Sequence, residues 1–270
     1  MNEFVKGWDF RMIAVQPKPA LAGNTATGAL KIIALCFMFM DHAGKMLFPN
    51  VPELRVLGRI AFPLYAWCLV VGFHYTRNVW KYGLRLLLVG AVSQPLYMQA
   101  LRHTWTEPNI FLTLLMGLLA LICVSEKPWE QNSLTLRIAG RALAAVGLAA
   151  VLVSTILLRC DYGWKGVLLI VLLYAVRNSR AGLAAVMVAF CLYWGTGSST
   201  IVRLFGLPIQ QLSGAANTLL SPWLRIQAMA ILSAPFILFP WKRDLRIPHW
   251  LGYALYPAHL LLLWGLEAIM

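Results

Sequence analysis

The chain reads as an all-α protein, a polytopic transmembrane bundle with about nine helical spans. Three observations predict this. Apolar residues make up 60% of the sequence and charged residues 12%, where soluble domains hold about 45–50% and about 25%. The mean hydropathy is +0.70. The apolar residues are gathered into runs near the ~20 residues that a helix needs to cross a bilayer. Helices are the required assignment, because an unclosed sheet would leave unpaired backbone groups in hydrocarbon.

The runs fall at 29–48, 57–76, 83–101, 110–125, 138–159, 164–178, 181–197, 223–240 and 249–268. The first follows a polar stretch with Lys6, Arg11, Lys18 and two prolines. A cleaved leader would carry its apolar core nearer the start, so residues 1–27 read as a cytoplasmic tail and 28–270 as the transmembrane domain. The second run contains Pro63, which loosens a helix, and the third holds Gln94 beside Pro95. The runs at 110–125, 164–178 and 181–197 are short and need snorkelling flanks or a thinned bilayer. Trp105, Trp164, Trp194, Trp223, Trp241 and Trp250 stand near run ends, where indoles prefer to sit. Segment 198–222 is broken by Pro208, Gln210, Gln211, Asn217 and Pro222, and reads as an interfacial or re-entrant stretch.

The net charge is +13. Its Lys and Arg residues lie between apolar runs and form no basic domain. The expected partner is therefore membrane lipid and not nucleic acid. With nine spans, fifteen of the 23 basic residues fall on the N-terminal side and eight on the other. The positive-inside rule then puts the N-terminus in the cytoplasm and the C-terminus outside. Cys36, Cys68, Cys123, Cys160 and Cys191 show no CxxC or His-paired spacing. They read as packing residues, with no metal site.

Charges inside a span are costly and need a partner or a purpose. The most informative string is Met40-Asp41-His42-Ala43-Gly44-Lys45, near the outer end of the first run. Asp41 and Lys45 are four apart and can pair on one face. Asp41 and His42 point about 100° apart on a helix, so Asp41 is poorly placed to orient His42. If His42 is a base, its orienting carboxylate comes from another helix; Glu107 and Asp161 are on the correct side. Arg55 and Arg59 are one turn apart, and Arg59 suits carboxylates or an anionic group. Asn109, Tyr162 and Lys165 converge on the same side, and His259 stands in mid-span of the last helix. Arg77, Lys81 and Arg85 form a topogenic cluster that could also attract phosphates from the cytosol. The plainer readings are an interfacial Asp41–Lys45 pair and a His42 that only bridges two helices.

At these strings the sequence resembles the TraX family of membrane proteins, named for the conjugative-pilus pilin N-acetyltransferase. The matching pieces are Leu30-Lys31-Ile32-Ile33-Ala34, Met40-Asp41-His42, Gly58-Arg59-Ile60-Ala61-Phe62-Pro63-Leu64-Tyr65-Ala66 and Gly72-Phe73 with Thr76-Arg77-Asn78. Arg85 with Gln94-Pro95, Asn109-Ile110-Phe111, Asp161-Tyr162-Gly163 and Tyr256-Pro257-Ala258-His259-Leu260 follow in order. The resemblance implies a bacterial inner-membrane N-acetyltransferase. It would move an acetyl group from acetyl-CoA to the α-amino group of a pilin-like subunit. His42 would then serve as general base, or as a relay nucleophile, with Arg59 or Asn109 stabilising the oxyanion. The other classes open to this sequence are a proton-coupled permease and a non-catalytic pilus or secretion assembly factor.

Overall fold

The computed structural model describes residues 20–125, 134–208, 214–241, 244–245 and 248–270. Helix α1 (Thr27–Met46) carries the first run. The segment before it is part of the fold and not a free tail: Asn24 is fully buried. Its N–H donates to the Ile237 carbonyl at 2.7 Å, its amide donates to the Phe236 carbonyl, and its carbonyl accepts from the Trp67 indole at 2.6 Å. Residues 22–26 thus pack against the bundle just before α1, and residues 1–19 lie outside the described residues.

The second run starts earlier than its hydropathy suggests and is divided. Helix α2 (Pro52–Gly58) ends in a turn at Arg59 and Ile60 before α3 (Ala61–Tyr75) begins. Pro63 explains the break. It has no N–H for the Arg59 carbonyl four residues back, and its ring crowds that carbonyl. Helix α3 is the centre of the bundle, with Phe62, Leu64, Ala66, Trp67 and Val70 fully buried. A helix enclosed by others has no polar face to show.

Helix α4 (Val79–Leu101) is capped by the Asn78 side chain accepting from the Lys81 N–H, and ends at Arg102 in the left-handed conformation. Helix α5 (Ile110–Val124) is capped by Asn109. Helix α6 (Leu134–Leu157) packs on α5 and on α7 (Gly163–Ala175), and in its apolar stretch 137–157 only 6% of the residues are buried. Helix α8 (Arg180–Thr196) follows, capped by Ser179. The described parts of segment 198–222 form no span. It holds a two-residue hairpin, β1 (Arg203–Leu204) with β2 (Leu207–Pro208), and the short α9 (Gly214–Leu220).

The run at 223–240 does not form one long helix. It opens with turns, then a 3-10 helix at Ala228–Ser233 and a single-turn α10 (Ala234–Leu238). Its residues are apolar because they pack against α8 and α3. Pro235, at the start of α10, provides no N–H to continue the preceding turn. Helix α11 (His249–Ile269) closes the chain against α4 and α1.

Among the described residues three stretches are long and apolar enough to cross a membrane: Thr27–Met46, Pro52–Tyr75 and Arg137–Leu157. Ile110–Val124, Gly163–Ala175 and Arg180–Thr196 are the short runs that the sequence marks. The connections gather at two ends. One end holds residues 47–51, 102–109, 158–162 and the hairpin, joined by the contact of the Phe205 N–H with Glu53 and by Arg102–Glu267 at 2.8 Å. The other holds the start of α1. There Ala22 bonds Arg177, and the Asp244 carboxylate accepts from the Gly28 and Ala29 N–H groups.

Candidate functional site

The first of these ends contains the polar site. Asp41, on the last turns of α1, faces the α2–α3 break. Its carboxylate pairs with the Arg59 guanidinium and lies 3.4 Å from Arg55 Nε. The break makes this possible, because it holds Arg59 at the mouth of α3. There Arg59 Nε donates to the Arg55 carbonyl at 3.2 Å and Nη1 to Gln227 Oε1 at 3.4 Å. Gly58 lets the two helices approach: a Cβ there would collide with the Asp41 side chain. The expected Asp41–Lys45 pair is not formed. Lys45 turns to His103, its Nζ 2.8 Å from Nε2, while two arginines take the carboxylate.

His42 does not take a carboxylate either. Its Nδ1 lies 2.9 Å from Nε2 of His259 on α11, and the two rings are stacked. His259 Nδ1 lies 3.3 Å from the Leu255 carbonyl, which can only accept. This network assigns the tautomers. Nδ1 of His259 carries the proton, so its Nε2 accepts from Nδ1–H of His42. The free lone pair of His42 is then on its own Nε2. His259 is the orienting group, in the position where the sequence suggested Glu107 or Asp161.

Asp41, His42, Asp161 and Tyr162 line one cavity of about 20 Å³, with Met38, Tyr97, Ile110 and Tyr256 in its wall. Asp161 stands in its mouth, open to water yet walled by protein. That desolvation raises its pKa above the usual carboxylate range, and Arg59 opposes the rise. Phe62 and Tyr162 stack at 3.9 Å between ring centroids, which fixes the phenol.

Glu107 belongs to the α4–α5 loop. Its Oε2 accepts from the Thr104 N–H at 2.9 Å and lies 3.3 Å from His103 Nδ1. The Thr104 N–H, then His103 and the Thr104 hydroxyl, hold its pKa below the usual range. Asn109 and Gln94 are committed to the same loop. Asn109 bonds the Gly90 carbonyl and the Phe111 N–H, and Gln94 bonds the Glu107 carbonyl and the Asn109 N–H. Both are scaffold groups here: Asn109 commits its amide oxygen and one of its two Nδ2 hydrogens. Lys165 lies away from the cavity, over the Trp164 and Tyr193 rings. Arg77 is exposed at the opposite end, and Arg85 bonds Tyr253 on α11.

Sequence reasoning missed the His42–His259 pairing, Gln227 and the tyrosines of the cavity wall. The one available signal was His259 itself, an ionisable group in mid-span. Among the described residues no His, Cys, Asp and Glu cluster could hold a metal ion.

Fold and site together define a mostly helical membrane protein with a part-buried carboxylate–arginine pair beside a histidine pair. The chain belongs to the TraX family: the family model described as TraX protein matches residues 26–267. It is 31% identical over 148 residues to the probable fimbrial assembly protein FimC, serogroup H1, of Dichelobacter nodosus, covering 50% of this chain and 55% of that protein. It is 30% identical over 88 residues to an uncharacterised protein of Rickettsia prowazekii (strain Madrid E), covering 33% of each. The chain thus spans about half of the first relative and a third of the second. No solved structure matches it.

Proposed function

We propose that this protein is an acetyltransferase of the bacterial inner membrane, acting from acetyl-CoA on the terminal amine of a pilin-like subunit. Membership of the TraX family and likeness to a fimbrial assembly protein support a pilus-related role. The observation that carries the chemistry is the histidine pair, which leaves a lone pair on His42 Nε2 in a cavity shared with Asp41 and Asp161.

In the proposed reaction the acceptor nitrogen attacks the thioester carbonyl. A C–N bond forms, the C–S bond breaks, and His42 Nε2 takes the amine proton. The leaving thiolate of CoA takes a proton in turn. His259 keeps His42 in the accepting tautomer. The Asp41–Arg59 pair fixes α1 against α3, and Arg55 beside it adds a second positive charge. The phenols of Tyr97, Tyr162 and Tyr256 are donors available to the developing oxyanion. Nine crossings, with the N-terminus inside, put this cavity toward the outer face, where a processed pilin amine would arrive.

The test is acetyl transfer by purified protein from radiolabelled acetyl-CoA to a peptide with a free N-terminus. His42→Ala should lower the rate by about 10²–10⁴, and His259→Ala should lower kcat with little change in KM. Unchanged transfer by His42→Ala would sink the proposal. Loss of pilus assembly that His42→Ala still rescues would favour the non-catalytic reading suggested by the fimbrial relative's name.

A further inference from the structure

A second cavity, of about 380 Å³, lies between α1, α3, α4, α5 and α11. It begins at Thr27, Lys31 and Asp244, at the end of the bundle opposite the histidine pair, and reaches inward to Ile110 and Tyr256. Those two residues also line the small cavity at His42. The two spaces therefore approach the same partition from opposite ends. The walls are continuous along two helices. On α1, Lys31 and Leu35 line the large cavity, and Met38 and His42 line the small one. That spacing keeps all four on one face. On α11, Gly252 and Tyr256 lead in the same way to His259.

We infer that this cavity holds the pantetheine arm of an acyl-CoA donor, with the thioester delivered to His42 and the nucleotide left outside near Lys31. The inference rests on the acetyl-transfer reading. Length supports it: the eleven residues from Lys31 to His42 span about 16 Å of helix. The arm has about thirteen bonds from phosphorus to sulfur, about 15 Å when extended at roughly 3.4 Å per three bonds. Lining chemistry supports it too. The middle is apolar, with Leu35, Leu69, Leu86 and Leu114, and is punctuated by the phenols of Tyr65 and Tyr82, which can serve the two amides of the arm. Lys31 is exposed at the mouth, and the one acid there, Asp244, is already committed to the Gly28 and Ala29 N–H groups. Arg85 adds a cation on the α4 wall through its bond to Tyr253.

Gly252 supplies the test, because a Cβ there meets no atom within 4 Å. A large side chain would grow into the cavity and leave the histidine pair untouched. Full-length protein in lipid nanodiscs is titrated with acetyl-CoA, and transfer is measured in parallel, for wild type, Gly252→Phe, Lys31→Glu and His42→Ala. Thermal midpoints report that each variant is folded. Gly252→Phe should weaken acetyl-CoA binding at least tenfold, Lys31→Glu should weaken it severalfold, and His42→Ala should bind as wild type does. Wild-type affinity in Gly252→Phe overturns the inference. So does native mass spectrometry that finds a phospholipid retained in the wild-type cavity at saturating acetyl-CoA. Binding that Gly252→Phe weakens, in a wild type that transfers no acetyl group, upholds the site and rejects the proposed reaction.

Discussion

Asp41 is the residue on which the site turns. It sits among apolar neighbours with a side chain only 14% exposed, and the Arg59 side chain is 12% exposed. Removing one partner of such a pair leaves the other charge stranded, at a cost of about 3–5 kcal/mol. Asp41→Asn should therefore lower stability by about 3 kcal/mol, seen as a lower thermal midpoint in detergent. Asp41→Asn with Arg59→Gln should recover much of that loss. Glu107 gives a pH signature. Its folded pKa is depressed, first by the Thr104 N–H, so the native loop favours the ionised form. The stabilisation is present above the ordinary carboxyl value of 4.5 and is lost as pH falls through the depressed one. Hydrogen exchange in residues 102–109 should accelerate as pH falls through that depressed value, below 4.5, and Glu107→Gln should abolish that dependence. The Asp41–Arg59 partnership was half legible in the sequence, since a charge in an apolar run demands a counter-charge. The rule for neighbours on one helix pointed to Lys45, whereas the partner comes from the next helix. The His42–His259 pair joins residues 217 apart, a separation at which no local periodicity speaks.

At the scale of elements, hydropathy located α1, α5, α7 and α8, because a long apolar run in lipid has helix as its one self-satisfied form. It misjudged 223–240 and the start of α2. Hydropathy records how apolar a run is, and is blind to whether its backbone hydrogen bonds continue. Pro63 and Pro235 interrupt them. Pro63→Ala should restore a donor to the Arg59 carbonyl and extend the helix through the break, drawing Arg59 off Asp41. Loss of transfer with a lowered thermal midpoint would be the expected result, because the Asp41 charge loses its partner. Helix α6 makes a different prediction. Leu143, Val146 and Val153 are more than half exposed, as befits a face turned to lipid. Val146→Asp should make membrane insertion of this helix less favourable by about 3 kcal/mol on insertion scales, measurable by translocon glycosylation mapping. Val146→Leu should leave it unchanged.

For the whole molecule, the two gathered ends put the start of α1 and the end of α11 on opposite sides of the bundle. The start of α1 lies with Asp244 and Arg177 at one end, and the end of α11 lies with Arg102 at the other. With the proposed orientation, N-terminus inside, a C-terminal alkaline phosphatase fusion should be active and a C-terminal green fluorescent protein dark, and the reverse result would overturn that orientation. The hairpin at 203–208 sides with Glu53 at that same end, and so argues against a tenth crossing through 198–222. The partition at Ile110 and Tyr256 has one more consequence. Two hollows that reach toward each other from opposite faces would, if joined and wetted, be a water-filled wire through the cell's insulation. Each elementary charge passing down such a wire would dissipate about 2.3 kcal/mol per 100 mV. The thin stack of one isoleucine and one tyrosine ring therefore acts as the dielectric of a capacitor. In the proposed reaction such a partition would let donor and acceptor meet at nearly the same point while the membrane stays charged.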